Sequence, residues 1–140
     1  MKMAYTGDHI TFCQKFRFDQ AHAVIVSGSA LNPCGHMLLN TGGDQGWYFH
    51  VAEVRGRPRF MTEQGYRRYL RENEKREIGR SFIQVPRPEA CNAKLEELLL
   101  NQWTWFVLPH NCVNFVEVVL QAGGVQGGLY SNCPRLETFK

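Results

Sequence analysis

Apolar and polar positions alternate, or apolar positions run together in short blocks, over much of the first 85 residues, and this pattern predicts β-strands. The segment through Phe18 is expected to be irregular or a short strand. Strands are expected at residues 23–26, 36–40, 47–54, 59–61 and 81–85. The sequence TGGDQG between the second and third of these strands favours a hairpin, and residues 27–35 are expected to form a loop.

Apolar residues spaced by three and four positions predict three helices. In the first helix, residues 62–76, Thr62 is expected to cap the N-terminus. Its apolar stripe is Tyr66, Tyr69 and Leu70, and its i,i+4 ion pairs are Arg68–Glu72 and Glu72–Arg76. The second helix, residues 88–100, starts with a proline and is expected to bury Leu95, Leu98 and Leu99.

The third helix, residues 111–122, shows the most regular pattern. Asn111 can cap it, and Gly123-Gly124 are expected to end it. Its inward side is expected to be Phe115, Val116, Val119 and Leu120. Residues 103–108 are apolar and fit either a strand or a helix. Helices and strands are thus mixed without a repeating βαβ pattern, which predicts an α+β fold.

Length and composition indicate one domain, residues 1–140, because 140 residues suffice for one hydrophobic core and no linker divides the chain. Hydrophobic residues are 44% and charged residues 21%, as in globular proteins. No run of about 18 apolar residues is present, so no integral membrane segment is expected. The first residues lack the apolar stretch of a signal peptide, so synthesis in the cytoplasm is expected. The net charge of +3 does not by itself indicate a nucleic-acid partner.

The five cysteines are an odd number and include no CxxC pair, which argues against zinc-ribbon and thioredoxin chemistry. They are Cys13, Cys34, Cys91, Cys112 and Cys133. No metal and no cofactor are expected from this pattern. A reducing compartment of synthesis fits it best.

Cys112 differs from the other cysteines because it lies where the third helix is expected to begin. The positive end of a helix dipole stabilises a thiolate and lowers its pKa. The N–H groups of a first helical turn can also bind a developing oxyanion. Cys112 is therefore a candidate nucleophile, and the alternative is a thiol that only packs beneath the helix start.

A thiolate nucleophile needs a base and a group that orients the base. His36 begins one predicted strand and His50 lies in the next, so their rings could come within hydrogen-bonding distance. Each histidine alone could equally cap a turn or fill a half-buried strand position. Glu53, on the opposite face of the same strand, competes with His50 as the third member. His110 is close to Cys112 in sequence, but a loop residue before a helix usually points away from the first turn.

The order His36, His50 and Asn111-Cys112 resembles the circularly permuted papain-like fold of the NlpC/P60 superfamily, in its lecithin:retinol acyltransferase-like branch. The segment GHMLLNTGGDQGWYFHV is similar to the family's histidine-bearing hairpin, and LPHNCVNFVEVVLQAGG is similar to its Asn-Cys helix. The resemblance covers about residues 22–124. It implies an antiparallel sheet packed against helices, with Cys112 as the nucleophile at a helix N-terminus, His36 as general base and His50 as the polar third member.

The resemblance implies a thiol hydrolase that cleaves an amide bond through a thioester acyl-enzyme, with peptidoglycan stem peptides as the first substrate class. A lipid acyltransferase or phospholipase is the alternative. It comes second because Val113-Asn114 stand where the lipid-acyltransferase branch has an acidic residue and a histidine. Bacterial toxins delivered by signal-peptide-independent secretion share this architecture. Such an effector would imply an immunity protein or a secretion-apparatus partner.

A non-enzymatic alternative comes from residues 54–80, which hold nine Lys and Arg residues and four Glu residues. With Tyr66 and Tyr69 among them, this segment could bind a polyanion such as nucleic acid or an anionic membrane. The same charges also fit a solvated helix face braced by ion pairs. The enzyme interpretation expects no nucleic-acid partner.

Overall fold

The computed structural model describes residues 4–9, 16–27, 35–42, 46–51, 55–100, 103–104 and 111–125, with the backbone alone at residues 55–56, 103–104 and 111–114. Several positions of interest lie outside these residues: Cys13, Cys34, Cys133, Glu53 and His110. The same holds for the central residues of the predicted loop and hairpin turn, 28–34 and 43–45, for residues 105–110, and for the chain after Val125.

Within the described residues, five strands form one antiparallel sheet: β1 (Arg17–Val26), β2 (His36–Gly42), β3 (Trp47–His50), β5 (Arg59–Met61) and β6 (Glu77–Ile83). Their order across the sheet is β5-β3-β2-β1-β6. The short strands β4 (Arg55–Gly56) and β7 (Trp103–Thr104) pair separately. The helices are α1 (Glu63–Glu72), α2 (Pro88–Leu100) and α3 (Asn111–Ala122). The predicted α+β class is confirmed.

The two faces of the sheet carry separate apolar clusters, because successive strand residues point to opposite faces. The larger cluster joins the sheet to α2 and α3. It includes Met37, Leu39, Phe49, Leu95, Phe115 and Leu120. The smaller cluster joins the opposite face to α1. It consists of Val24, Val26, Leu38, Tyr48, Met61, Tyr66 and Tyr69.

The boundaries of α2 and α3 agree with the prediction, and so do their buried residues. Gly123-Gly124 end α3 as expected. Gly124 adopts φ +91°, a left-handed conformation that favours glycine, and its N–H and that of Gly123 bond to carbonyls of the last helical turn. The glycine signal therefore fixed this helix end.

Several boundaries differ from the prediction. β2 ends at Gly42 rather than at residue 40, β3 ends at His50 rather than at residue 54, and β6 ends at Ile83 rather than at residue 85. β1 begins at Arg17 rather than at residue 23, because polar residues and a register shift between Arg17 and His22 break the apolar alternation. β6 begins at Glu77, four residues before the predicted start. Its first six residues are exposed or half-buried, so they form no apolar run that would mark a strand. α1 ends at Glu72 rather than at residue 76. Asn73 is its C-cap, and Glu74, the next residue, takes φ +54°.

No helix among the described residues is long and apolar enough to cross a membrane.

Candidate active site

His36 and His50 lie in contact on neighbouring strands. The antiparallel register pairs Leu39 with Phe49, which sets His50 across from Leu38 and diagonal to His36 on the same face. His36 Nε2 lies 2.8 Å from His50 Nδ1, and the two ring planes meet at 78°. The ring contact expected from strand pairing is therefore present, and the catalytic role of the pair stays a prediction.

A backbone oxygen determines the direction of this hydrogen bond. His50 Nε2 lies 2.7 Å from the carbonyl oxygen of Thr6. A carbonyl only accepts, so Nε2 of His50 carries a proton. If His50 is neutral, its Nδ1 must accept, and the donor is Nε2–H of His36. A neutral His36 then keeps its lone pair on Nδ1.

Both rings are held in the neutral form at pH 7. His50 is 1% exposed, and this burial lowers its pKa to about 4 although the Thr6 carbonyl favours the charged form. Burial also lowers the pKa of His36 well below its ordinary value, with further contributions from His50 and from the ammonium group of Lys75. The low pKa values support the hydrogen-bond direction deduced above.

The histidine pair lies on the sheet face that packs against α1. The ring of His50 meets that of Tyr69 edge-on at 5.2 Å between centroids. Leu38, on the same face of β2 as His36, belongs to the α1 cluster, whereas Met37 and Leu39 belong to the α3 cluster. The two histidines and α3 are therefore on opposite faces of the sheet. Sequence alternation did not predict this, because it does not say which face a distant helix covers.

Cys112 lies in the first turn of α3, since the helix begins at Asn111 as predicted. Its side chain is outside the described part of the structure. The other end of α3 lies near Arg87, whose N–H donates to the carbonyl of Gly123 at 2.8 Å. α3 packs on the sheet face opposite the two histidines, and a contact between Cys112 and His36 stays a prediction.

Cys91 has the environment of a structural thiol. It is fully buried between α2 and α3, and its Sγ lies 3.9 Å from the carbonyl oxygen of Leu120. Burial raises the pKa of this thiol to about 11, which keeps it protonated and unreactive at neutral pH. Cys91 therefore serves as an internal reference for Cys112.

The Thr6 carbonyl is the feature of the site that the sequence did not indicate. It is a backbone oxygen 44 residues away from His50, so no side-chain motif could have revealed it. Among the described residues, no group of three histidine, cysteine, aspartate or glutamate side chains is arranged to hold a metal ion.

The basic segment carries internal ion pairs on its described residues. The predicted Arg68–Glu72 pair is present at 2.6 Å, and Arg80 pairs with Glu77 at 2.6 Å. The predicted Glu72–Arg76 pair is wrong, because Arg76 lies beyond the helix end and its N–H donates to the Ser27 hydroxyl. The Arg68–Glu72 pair agrees with a helix face braced by ion pairs, and the polyanion-binding alternative stays a prediction.

Compared with models of known protein families, with curated proteins and with solved structures, the chain matches none of them. Any functional assignment therefore has to rest on the residues and their geometry.

Proposed function

We propose that this protein is a cysteine hydrolase with a permuted papain-like arrangement, in which Cys112 is the nucleophile, His36 the general base and His50 the residue that orients His36. The observation that carries the proposal is the directed hydrogen-bond chain from the Thr6 carbonyl through His50 to His36. This chain leaves a neutral imidazole with one defined lone pair, on Nδ1. Such a ring is the form of histidine that accepts a proton from a thiol.

The course of α3 supports the position of the nucleophile. The helix ends near Arg87, which follows β6 after Ile83, and Ile83 pairs with Ala21 at one end of the sheet. His36 pairs with Val26 at the other end. A helix of 12 residues is about 18 Å long, comparable to the sheet strands. As part of this proposal, α3 follows the strand direction, which brings its first turn, with Cys112, to the end where β2 begins.

The reaction proposed is hydrolysis of an amide. Proton transfer from Cys112 to His36 Nδ1 gives the thiolate, which attacks the carbonyl carbon, while N–H groups of the first turn of α3 stabilise the oxyanion. His36 then protonates the leaving amine as the C–N bond breaks. Water, deprotonated by His36, attacks the thioester and releases the carboxylate and the thiol. The lowered pKa of His36 makes its protonated form a strong acid toward the amine and its neutral form a weak base toward the thiol, so formation of the thiolate depends on the dipole of α3 as well.

Peptide amides are the proposed substrates, with peptidoglycan stem peptides first, because the histidine hairpin and the Asn-Cys helix resemble the NlpC/P60 pattern. Lipid acyl transfer is less favoured, since Val113-Asn114 differ from the lipid-acyltransferase branch. Release of fatty acid from phospholipid vesicles, without release of amine from stem peptides, would favour the lipid alternative instead.

The test combines thiol labelling with turnover. Brief treatment with iodoacetamide at neutral pH, followed by peptide mapping, should label Cys112 well before Cys91, whose pKa is raised to about 11. On stem peptides, Cys112→Ala should abolish amine release, and His36→Ala should lower the rate on the order of 100- to 10,000-fold.

His110→Ala is the matched control and should cost far less than His36→Ala. Uniform slow labelling of all five cysteines would contradict the nucleophile assignment. Loss of turnover in a folded His110→Ala protein, with His36→Ala still active, would contradict the base assignment. Polyanion binding that survives Cys112→Ala, in a protein without hydrolase activity, would favour the non-enzymatic alternative.

A further inference from the structure

Residues 4–9 form a segment outside the helices and strands, which we call the strap, and it crosses the α1 side of the sheet beside His50. Asp8 exchanges two backbone hydrogen bonds with Phe60 of β5, at 2.9 and 2.8 Å. Near its other end, the N–H of Tyr5 donates to Glu72 at 3.0 Å, and Arg68 lies over the Tyr5 ring. The strap is thus attached both to the sheet and to α1.

Three consecutive strap carbonyls each accept a hydrogen bond from the side chain of a different element. Asn73, the C-cap of α1, donates to the Tyr5 carbonyl at 2.8 Å. His50 of β3 donates to the Thr6 carbonyl at 2.7 Å, and Arg59 of β5 donates to the Gly7 carbonyl at 3.2 Å. The outer two bonds fix the position of the peptide group whose oxygen meets His50.

From this arrangement we infer that the strap is a positioning element for the histidine pair: its Thr6 carbonyl holds the proton of His50 on Nε2 and thereby leaves His50 Nδ1 to accept from His36. The inference rests on the proposed function for its catalytic consequence, and on the hydrogen bonds alone for its structural one. Without the carbonyl, either ring nitrogen of His50 could carry the proton. With the proton on Nδ1, His36 would lose its acceptor and its orientation.

Gly7 offers a way to displace the strap without touching either histidine. It is buried with φ +104°, a conformation that side chains strongly disfavour. A Cβ there would lie 3.0 Å from Arg59 Cβ and 3.1 Å from the carbonyl oxygen of Phe60. Gly7→Ala should therefore move the Thr6–Gly7 peptide away from His50. Gly46→Ala is the matched control, because its Cβ would meet its nearest neighbour at an ordinary 3.5 Å.

The readout is ¹⁵N NMR of the histidine rings, with His50 assigned from the spectrum of His50→Gln. In the unmodified protein and in Gly46→Ala, His50 should show a directly observed Nε2–H cross peak at pH 7, because that proton is buried and bonded. In Gly7→Ala this cross peak should be lost. The titration midpoint of His50 should also rise from about 4 toward the ordinary 6.5, because burial lowers its pKa by more than the Thr6 carbonyl raises it, and displacing the strap removes both effects.

Turnover gives the second readout: Gly7→Ala should lower kcat about tenfold or more while KM stays within about twofold. A folded Gly7→Ala protein with an unchanged His50 cross peak and midpoint overturns the inference, as does absence of the cross peak in the unmodified protein. If Gly7→Ala does not fold, Asn73→Ala, which releases the Tyr5 carbonyl, is judged by the same spectra. A wild-type protein with the bonded His50 but no hydrolase activity would refute the proposed function and leave the positioning inference standing.

Discussion

His50 shows how two opposing effects on one side chain are resolved. The hydrogen bond to the Thr6 carbonyl favours the protonated ring, and burial at 1% exposure disfavours it. Burial is the larger effect, so the ring is neutral and can both donate and accept. A permanently charged side chain could not relay orientation in this way, because a cation would only donate and a carboxylate would only accept. The site thus requires a side chain with one donor and one acceptor at this position.

Glutamine meets that requirement better than alanine. We expect His50→Ala to lower kcat by roughly 10- to 100-fold with KM little changed, since an orienting residue does not touch the substrate. His50→Gln and His50→Asn should recover part of the rate, because an amide can accept from His36 and donate to the Thr6 carbonyl. Steady-state kinetics on stem peptides measure this, with His22→Ala as the control. Equal rates for His50→Ala and His50→Gln would argue against the orienting role.

The contact between the two histidines could be predicted from the sequence. Period-2 alternation and the hairpin turn were enough to place His36 and His50 within reach of each other. The Thr6 carbonyl could not be predicted, because every residue has a carbonyl and only the tertiary fold selects one. The position of the Cys112 thiol relative to His36 is likewise a property of how α3 packs, which the residues around Cys112 do not encode locally.

At the scale of elements, α1 packs on the sheet face that carries the two histidines. Its Tyr66 stacks on Tyr48 with ring centroids 4.0 Å apart, and its Tyr69 meets the His50 ring. The hydroxyls are satisfied as well: Tyr66 donates to Glu77 at 2.7 Å and Tyr48 donates to Glu63 at 2.9 Å. A helix of ten residues depends on such packing and on its cap, because it is too short to be stable alone.

The cap of α1 is the hydroxyl of Thr62, which accepts from the N–H of Gly65 at 3.1 Å. We expect Thr62→Ala to lower the free energy of unfolding by about 1 kcal/mol, because it leaves this N–H without its partner. Thr62→Ser keeps the oxygen and should lose much less. Urea denaturation at pH 7.5 compares the three proteins. Equal stability of Thr62→Ala and the unmodified protein would mean that the cap contributes nothing.

Elements with a chemical signal at their ends were predicted well, and elements without one were not. Proline opens α2 and two glycines close α3, and both helices have the predicted bounds. β1 starts among polar residues, and the register shift after Arg17 breaks its alternation, so only its apolar part was predicted. The end of α1 was missed because Asn73 is a weaker stop signal than glycine.

At the scale of the whole molecule, the sheet divides the chain into two layers with different chemistry. On the α2–α3 side, the sheet packs against the larger apolar cluster, with Cys91 among its buried residues. The α1 layer contains the tyrosine hydroxyls, their glutamate partners and the histidine pair. The layer assignment of each strand residue follows from alternation, but the choice of helix for each layer does not. The proposed nucleophile and base meet only if the first turn of α3 reaches the sheet end at His36.

The buried histidines also make the stability of the whole fold depend on pH. The folded-state pKa of His50 is about 4, below the ordinary 6.5 that it regains on unfolding. Between these values the unfolded chain binds more protons than the folded one. The contribution of His50 to the free energy of unfolding is therefore complete above about pH 6.5 and is lost as the pH drops toward 4. For His50 alone, the expected loss from pH 7.5 to pH 5 is about 2 kcal/mol. His36, whose pKa is also lowered, should add to this loss.

Urea denaturation at the two pH values should show this loss in the unmodified protein and a smaller one in His50→Gln, because the other titrating groups are common to both. The same pH dependence in both proteins would show that His50 is not buried as a neutral ring.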